Sequence, residues 1–332
     1  MSLNTKMISK NAYFVSRNRG RVTARVRTPG GHLEAKYLGI IKEIAEDYGN
    51  GTIHLTARQA IAIPGIPAEK IPQVRKLLAP YIQGAEVDLG VDIKEVEGGF
   101  PVPLPHNIVA CIGGRDCVMG AIDTTDLAFK LECAFYPGSL VLKIGVAGCA
   151  NDCVKVHLQD VGIIGMVEPR YDPARCISCE SCVKNCAASA SGALSMENYK
   201  VVRDDWRCLG CGECVLKCPT GAWSRGLKYY RIVIGGWTGR KRPRMAVTFL
   251  EWVEEEAVFQ VIRNMYAYIG KYKNKNLLQE RLEYIIDRTG YGVFKQEVLQ
   301  DVKLGPKARA ARYIDFGGYS YDKSVQFERL QV

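Results

Sequence analysis

Apolar and polar residues alternate through RVTARVRTP at 21–29, which predicts a half-buried strand, and the following GG predicts a turn. Val22, Ala24 and Val26 share one face of that strand, so Arg25 and Arg27 project together from the other. LEAKYLGIIKEIAEDYG carries Leu38, Ile41, Ile44, Ala45 and Tyr48 at helical spacing, with Gly49 as its stop. A strand in TIHLTARQAIAI and a helix in IPQVRKLLAPYI complete a unit over residues 21–95, bounded by PVPLP at 101–105. Beyond it, NIVAC and LVLKIGVAGC both read as strands ending in cysteine, separated by a helix in TTDLAFKLECAF, and VGIIGMV reads as a third strand. Periodicity then stops for roughly fifty residues and resumes in YYRIVIGG at 229, as if a small module were spliced between two strands of one sheet. Helical patterns in VFQVIRNMYAYI, NLLQERLEYIIDR and YGVFKQEVLQ follow, so the chain reads as α+β.

The interruption is rich in cysteine. Cys176, Cys179, Cys182 and Cys186 form CxxCxxCxxxC, and Cys208, Cys211, Cys214 and Cys218 repeat it 32 residues on, with Pro219 after the last. This is the two-cluster bacterial ferredoxin spacing, in which the fourth cysteine of each run ligates the other cluster. One cluster would use Cys176, Cys179, Cys182 and Cys218, and the other Cys208, Cys211, Cys214 and Cys186. Zinc is the alternative, but its sites use paired cysteines with longer spacers. Ala187 stands where a proline is expected after Cys186. Five cysteines remain: Cys111 and Cys117 as CxxxxxC, Cys149 and Cys153 as CxxxC, and Cys133 alone. The two pairs begin at strand ends among Gly113, Gly114 and Gly148, which lets backbone approach something closely; buried structural thiols are the competing reading.

The formal charge of +10 is dispersed, with no basic stripe or tail, so nucleic-acid binding is not expected. The count also treats cysteine as neutral, whereas bound cysteines are thiolates. No apolar run of roughly 18 residues and no basic-then-apolar leader is present, which gives the expectation of a cytoplasmic protein without a membrane span. In such a compartment, spaced cysteines bind metal rather than form disulfides. No GxGxxG follows a strand, so NADH or flavin chemistry belongs to another chain.

Taken together, RVRTPGG at 25–31, GNGTIHLTARQ at 49–59, NIVAC with CxxxxxC, GCANDC with CxxxC, and GGWTGRKRPR at 235–244 resemble the siroheme sulfite and nitrite reductases. The resemblance covers nearly the whole chain and is nearest to the siroheme subunits of anaerobic sulfite reductases. It implies the hemoprotein fold of that family. Residues 1–100 would form the ferredoxin-like half-domain, 101–168 with 227–332 the siroheme and [4Fe-4S] domain, and 169–226 an inserted two-cluster ferredoxin domain. It also implies that Cys111, Cys117, Cys149 and Cys153 bind a third [4Fe-4S] cluster, with Cys153 shared between cluster and siroheme iron.

Siroheme carries many carboxylates, and His54, Thr56, Arg58 and Gln59 match the family's siroheme-contacting strand, with Arg240, Lys241 and Arg244 as further contacts. Arg27 and Lys143 match family positions for the oxygens of sulfite; Lys155 is a third candidate, and Arg115 is expected to tune the cluster. Where the family often has a second arginine before NIVAC, this chain has Pro105, His106 and Asn107. Either His106 substitutes as a proton donor or the pocket favours a different oxyanion.

The implied activity is six-electron reduction of sulfite to sulfide, with electrons relayed through three [4Fe-4S] clusters. Nitrite reduction to ammonia and a purely electron-transferring subunit are the alternatives. The chain holds one copy of a strand-and-helix unit that longer relatives carry twice. The expected partners are therefore a second copy or separate iron-sulfur and flavin, NADH-oxidising subunits.

Overall fold

A computed structural model describes residues 13–84, 108–135, 140–239, 243–277 and 280–316. The expectations for His106, Arg240, Lys241 and the PVPLP boundary lie outside these residues. The chain divides into two compact units, residues 1–110 with 125–143 and residues 111–124 with 144–332.

In the first unit, β1 (Tyr13–Val15), β2 (Arg21–Val26), β3 (His54–Leu55) and β4 (Ile61–Pro67) form an antiparallel sheet in the order β1-β2-β4-β3. Val22, Ala24 and Val26 are buried, as the alternation requires, against Ile61, Ile63 and Ile66 of β4. TIHLTARQAIAI is a hairpin, not the single strand its apolar run predicts. Gln59 takes φ +59°, the Thr56 hydroxyl accepts the Ala60 N–H at 3.0 Å, and His54 and Leu55 fold back on Ala62 and Ile61. This places LTARQ at a turn. Helix α1 (Leu38–Glu43) runs into a widened turn over Ile44–Tyr48 that buries Ile41, Ile44 and Ala45 but leaves Leu38 51% exposed, off the predicted face. Helix α2 (Ile71–Ile82) buries Val74, Leu78 and Tyr81 in the same core.

This unit also holds β5 (Val109–Ala110) and helix α3 (Thr124–Phe135), apart from Thr124 itself. The domain boundaries read from the sequence assign α3 to the siroheme domain instead. The reason for the difference is packing: Gly30, at φ +58°, leaves room for Ala128 and Phe129, His32 meets the Phe129 ring at 6.0 Å, and Arg27 pairs with Glu132.

The second unit is built on β6 (Ile144–Ala147), β7 (Val161–Tyr171), β10 (Trp223–Ile234), β11 (Val247–Val253) and β12 (Arg309–Ala310), in the order β12-β11-β10-β7-β6. Only β6 and β7 are parallel. Helices α6 (Glu255–Tyr272), α7 (Leu282–Thr289) and α8 (Tyr291–Val298) accompany it, and Phe249 of β11 meets Phe294 of α8 at 5.2 Å. The cysteine-rich segment leaves at the end of β7 and returns at the start of β10. The two strands pair from Val161↔Ile234 out to Tyr171↔Trp223, with a register shift between Arg225 and Lys228, so the sheet continues into that segment. It contributes the hairpin β8 (Leu194–Glu197) and β9 (Lys200–Arg203) and two short helices, α4 (Ser181–Ser189) and α5 (Glu213–Lys217). Contacts group it with the second unit, because β7 and β10 belong to both.

Candidate functional site

The cysteines fall into three groups, all in the second unit. Cys176, Cys179, Cys182 and Cys218 line one pocket together with Ile177, Tyr171 and Trp223. Burial raises the Cys182 thiol, with Cys218 among its charged neighbours, whereas Cys179 is exposed and held low by the Ser181 hydroxyl and amide. In the second group, burial raises both Cys208 and Cys211, and Cys186 adds to each. Cys214 is pushed up to about 12 by burial, then by Cys211 and Cys208. The fourth cysteine of each run therefore stands with the other run's first three.

The third group surrounds Cys149, whose thiol is raised by burial and further by Cys111, Cys153 and Cys117. Cys149 is buried, Cys111 and Cys117 are half-buried and Cys153 is exposed. Cys133 lies apart, exposed on α3 in the first unit. Gly113, Gly114, Gly120 and Gly148 explain how the loops fit. A Cβ on Gly148 would stand 3.1 Å from the Gly113 Cα and 3.5 Å from Cys111 Sγ, and one on Gly120 would meet the Gly113–Gly114 backbone at 2.6 Å. What the backbone approaches is the other cysteine loop, and the Gly148 N–H donates to Cys111 Sγ at 3.1 Å. Among the described residues, no three such side chains close on a point suited to one metal ion, as zinc ligands about 3.8 Å apart would. The donor set fits a larger, thiolate-liganded group.

Strand β7 lies between two of these groups. Met166 packs with Tyr229 and Trp252 against Cys208, and the Val167 N–H donates to the Gly210 carbonyl at 2.8 Å. Its neighbour Gly165 points the opposite way, where a Cβ would stand 2.6 Å from the Gly148 carbonyl. A single strand thus separates the Cys208 loop from the Cys149 loop.

The Cys149–Cys153 loop is held from within by a residue that ligand spacing alone does not single out. Asp152, at φ +47°, accepts the Val156 N–H at 2.6 Å, the His157 N–H at 3.3 Å and His157 Nδ1–H at 2.7 Å. Burial opposes ionisation of this carboxyl, but the His157 ring and the two backbone donors hold it below its ordinary range. Asp before a tight turn is itself a sequence signal, since its side chain caps backbone donors further along. Lys155 follows at φ +56° and is exposed. Arg115, in the CxxxxxC loop, is exposed and paired with Asp116 at 2.9 Å. Arg225 bonds the carbonyls of Gly120 and Val118 at 2.8 and 2.5 Å, which ties β10 to that loop.

Arg244 is 5% exposed and forked onto Asp287 at 3.2 and 2.6 Å, so its charge is already met by a carboxylate. Behind it Arg281 pairs with buried Asp160 at 2.5 Å, and burial pushes the Glu283 carboxyl up to about 8, helped by Asp160.

In the first unit, Arg27 lies just past the end of β2. It is 7% exposed and ion-paired with Glu132, itself 2% exposed, at 2.5 Å. The alternation puts Arg27 on the polar face, but that face is covered here, and the second Glu132 oxygen accepts the Ile108 N–H at 3.0 Å. Arg25 stacks on Phe14 at 4.1 Å. Gln59 spends both ends of its amide on the backbone of Ala110, at 2.7 and 2.9 Å, immediately before Cys111. His54 is exposed; Thr56, Arg58 and Lys143 are half-buried.

Comparison with known proteins agrees with this architecture. The nitrite/sulfite reductase ferredoxin-like half domain matches residues 15–81, and the nitrite and sulphite reductase 4Fe-4S domain matches residues 103–305. The chain belongs to the nitrite and sulfite reductase family. It is 41% identical over 319 residues, 95% of both chains, to a subunit of the anaerobic sulfite reductase of Salmonella typhimurium. It is 33% identical over 290 residues, 86% of this chain and 43% of a longer protein, to the coenzyme F420-dependent sulfite reductase of Methanocaldococcus jannaschii. Among solved structures, dissimilatory sulfite reductase I shares the fold with a TM-score of 0.60 at 18% identity, over 91% of this chain and 76% of that one. Among the described residues, no helix is long and apolar enough to cross a membrane.

Proposed function

We propose that this chain is the siroheme-bearing catalytic subunit of a sulfite reductase, acting with separate electron-donating iron-sulfur and flavin subunits. The observation that carries this reading is the gathering of twelve cysteines into three tetrads, one of which lies outside the ferredoxin-like repeat. A subunit that only transferred electrons would need the repeat alone. The kinship with a sulfite reductase subunit over 95% of both chains supports the choice of reaction.

Cys111, Cys117, Cys149 and Cys153 would hold the cluster beside siroheme, with Cys153, the exposed member, as the shared ligand. The other two tetrads would hold the clusters of an inserted ferredoxin domain. Siroheme, when bound, supplies the iron at which sulfite is reduced, and the clusters supply electrons singly. The chain's own part is order. Cys179 opens one tetrad to solvent, Cys208 packs the next against Met166, and Gly165 brings the third to the far side of the same strand. Cys179 would thus leave the first cluster open to an electron donor, and Gly165 and Met166 would stand between the other two.

His54, Thr56 and Arg58 remain the proposed contacts to siroheme carboxylates. Gln59 acts one step back, by fixing Ala110 and so the strand that leads into Cys111. For the oxygens of sulfite, Lys143 and Lys155 join Arg27, whose guanidinium is ion-paired with Glu132. Anaerobic steady-state assays on sulfite and nitrite, with sulfide and ammonia quantified, test the proposal. A higher kcat/KM for sulfite is expected; a preference for nitrite would overturn the substrate assignment.

A further inference from the structure

The loop between Cys149 and Cys153 has an unusual way of keeping its shape. Asp152 within it, at φ +47°, and Lys155 just past it, at φ +56°, occupy the left-handed region, which such residues leave unless something holds them. Here the holding is done by the Asp152 carboxylate. Oδ1 takes the Val156 N–H and Oδ2 takes the N–H and Nδ1–H of His157. Backbone bonds from Asp152 N–H to the Cys149 carbonyl, 3.3 Å, and from Lys155 N–H to the Asp152 carbonyl, 2.9 Å, close the turn around Cys153.

His157 also reaches outward. Its carbonyl accepts the Ala246 N–H at 2.7 Å, and Gly236 packs so closely on that carbonyl that a Cβ there would overlap it. The neighbouring Gln159 and Asp160 carbonyls accept the N–H groups of Gly236 and Gly235 at 2.9 and 2.8 Å. One residue therefore joins the loop that presents the Cys153 thiol to Gly236 on one side of the GGWTGRKRPR segment and to Ala246 just past the other.

We propose that Asp152 and His157 form a positioning pair that sets the direction of the Cys153 thiolate and ties it to Gly236 and Ala246. The inference rests on the reading of Cys153 as the ligand shared with siroheme. The pair does for a thiolate loop what a carboxylate does for a metal-bound histidine: it removes the alternative orientations before the ligand is called on. Partners of that kind are worth about 10- to 100-fold in affinity or activity.

The experiment uses the assembled enzyme with four variants. His157→Phe keeps a ring and removes the donor, whereas His157→Asn places an amide N–H at the same bond distance from Cα as Nδ1. Asp152→Asn keeps the shape of the carboxylate and removes its charge and one acceptor; Cys153→Ser tests the underlying reading separately. His157→Phe and Asp152→Asn are expected to retain siroheme, but with altered siroheme electron paramagnetic resonance, a shifted siroheme midpoint potential and faster amide exchange at Val156 and residue 157. Their kcat/KM should fall by about 10- to 100-fold, and His157→Asn should restore spectrum, potential and rate toward the parent. Parent-like spectra and rates in His157→Phe would overturn the proposal. So would a His157→Asn variant as impaired as His157→Phe, or loss of siroheme from His157→Phe beside a parent-like Asp152→Asn. If Cys153→Ser retained siroheme with a parent spectrum, the shared-ligand reading would fail instead, whatever the amide exchange of the pair.

Discussion

Replacing Cys153 by serine is expected to abolish sulfite reduction while leaving two of the three clusters in place. The three other members of its tetrad are half-buried or buried, and only Cys153 is exposed and so open to a second bond beyond the cluster. A serine hydroxyl does not ionise in the range where a thiol does, and it is a harder donor than the soft thiolate that iron-sulfur chemistry uses. The loss should exceed the roughly 10- to 100-fold attached to partners one shell away, because the ligand itself is gone. Cys133→Ser is the matched control. It stands exposed on α3 in the first unit and belongs to none of the tetrads, and its loss should leave siroheme, iron and rate unchanged. Siroheme content by optical spectroscopy and sulfide production by assay check both. A Cys153→Ser enzyme with parent activity would remove this residue from the site.

Arg27→Ala is expected to destabilise the protein before it reveals anything about sulfite. Glu132, 2% exposed, would keep its carboxylate in a buried position with its cation gone, and breaking such a pair from one side costs about 3–5 kcal/mol. The Ile108 N–H that Glu132 also holds would lose part of its anchor. The informative variant is the double replacement Arg27→Gln with Glu132→Gln, which removes both charges and leaves two amides able to bond one another. It should recover most of the stability, read as the midpoint of denaturant unfolding. If Arg27 also grips the substrate, kcat/KM for sulfite in that variant should still fall by about 10- to 150-fold, the equivalent of one charge-assisted bond of about 1.5–3 kcal/mol. A stable double variant with the parent kcat/KM would make Arg27 a structural cation, leaving Lys143 and Lys155 for the oxyanion.

What the sequence makes legible here is what depends on local spacing. The 32-residue repeat of cysteines is visible as text, and in the folded chain Cys186 neighbours Cys208 and Cys211 while Cys218 neighbours Cys179 and Cys182. The splice between two strands is likewise visible, because the strand-like apolar pattern stops after VGIIGMV and resumes at YYRIVIGG, and β7 and β10 pair with one another. Less legible is anything decided by partners far along the chain. Arg27 reads as a contact to the oxygens of sulfite, and nothing in its own stretch of sequence announces Glu132, 105 positions on, with which it pairs. Gln59 reads as a cofactor contact, and its sequence neighbourhood gives no sign that its amide bonds the backbone of Ala110, 51 positions away. The LTARQ turn is hidden because a hairpin of β-branched and apolar residues has the same composition as one long strand, and only the left-handed Gln59 separates them. Asp152 stands in plain view inside GCANDC, but ligand spacing points to the cysteines and not to what holds them.

The central claim is that three tetrads and one tetrapyrrole share this chain. Iron and acid-labile sulfide, measured per chain on an anaerobically prepared, fully active enzyme with its siroheme extracted and quantified, test it most directly. The account predicts about thirteen irons and about twelve sulfides, four of each for every cluster and one further iron for siroheme. Full activity with only about nine irons and eight sulfides would contradict it, because the Cys111, Cys117, Cys149 and Cys153 group would then hold no cluster.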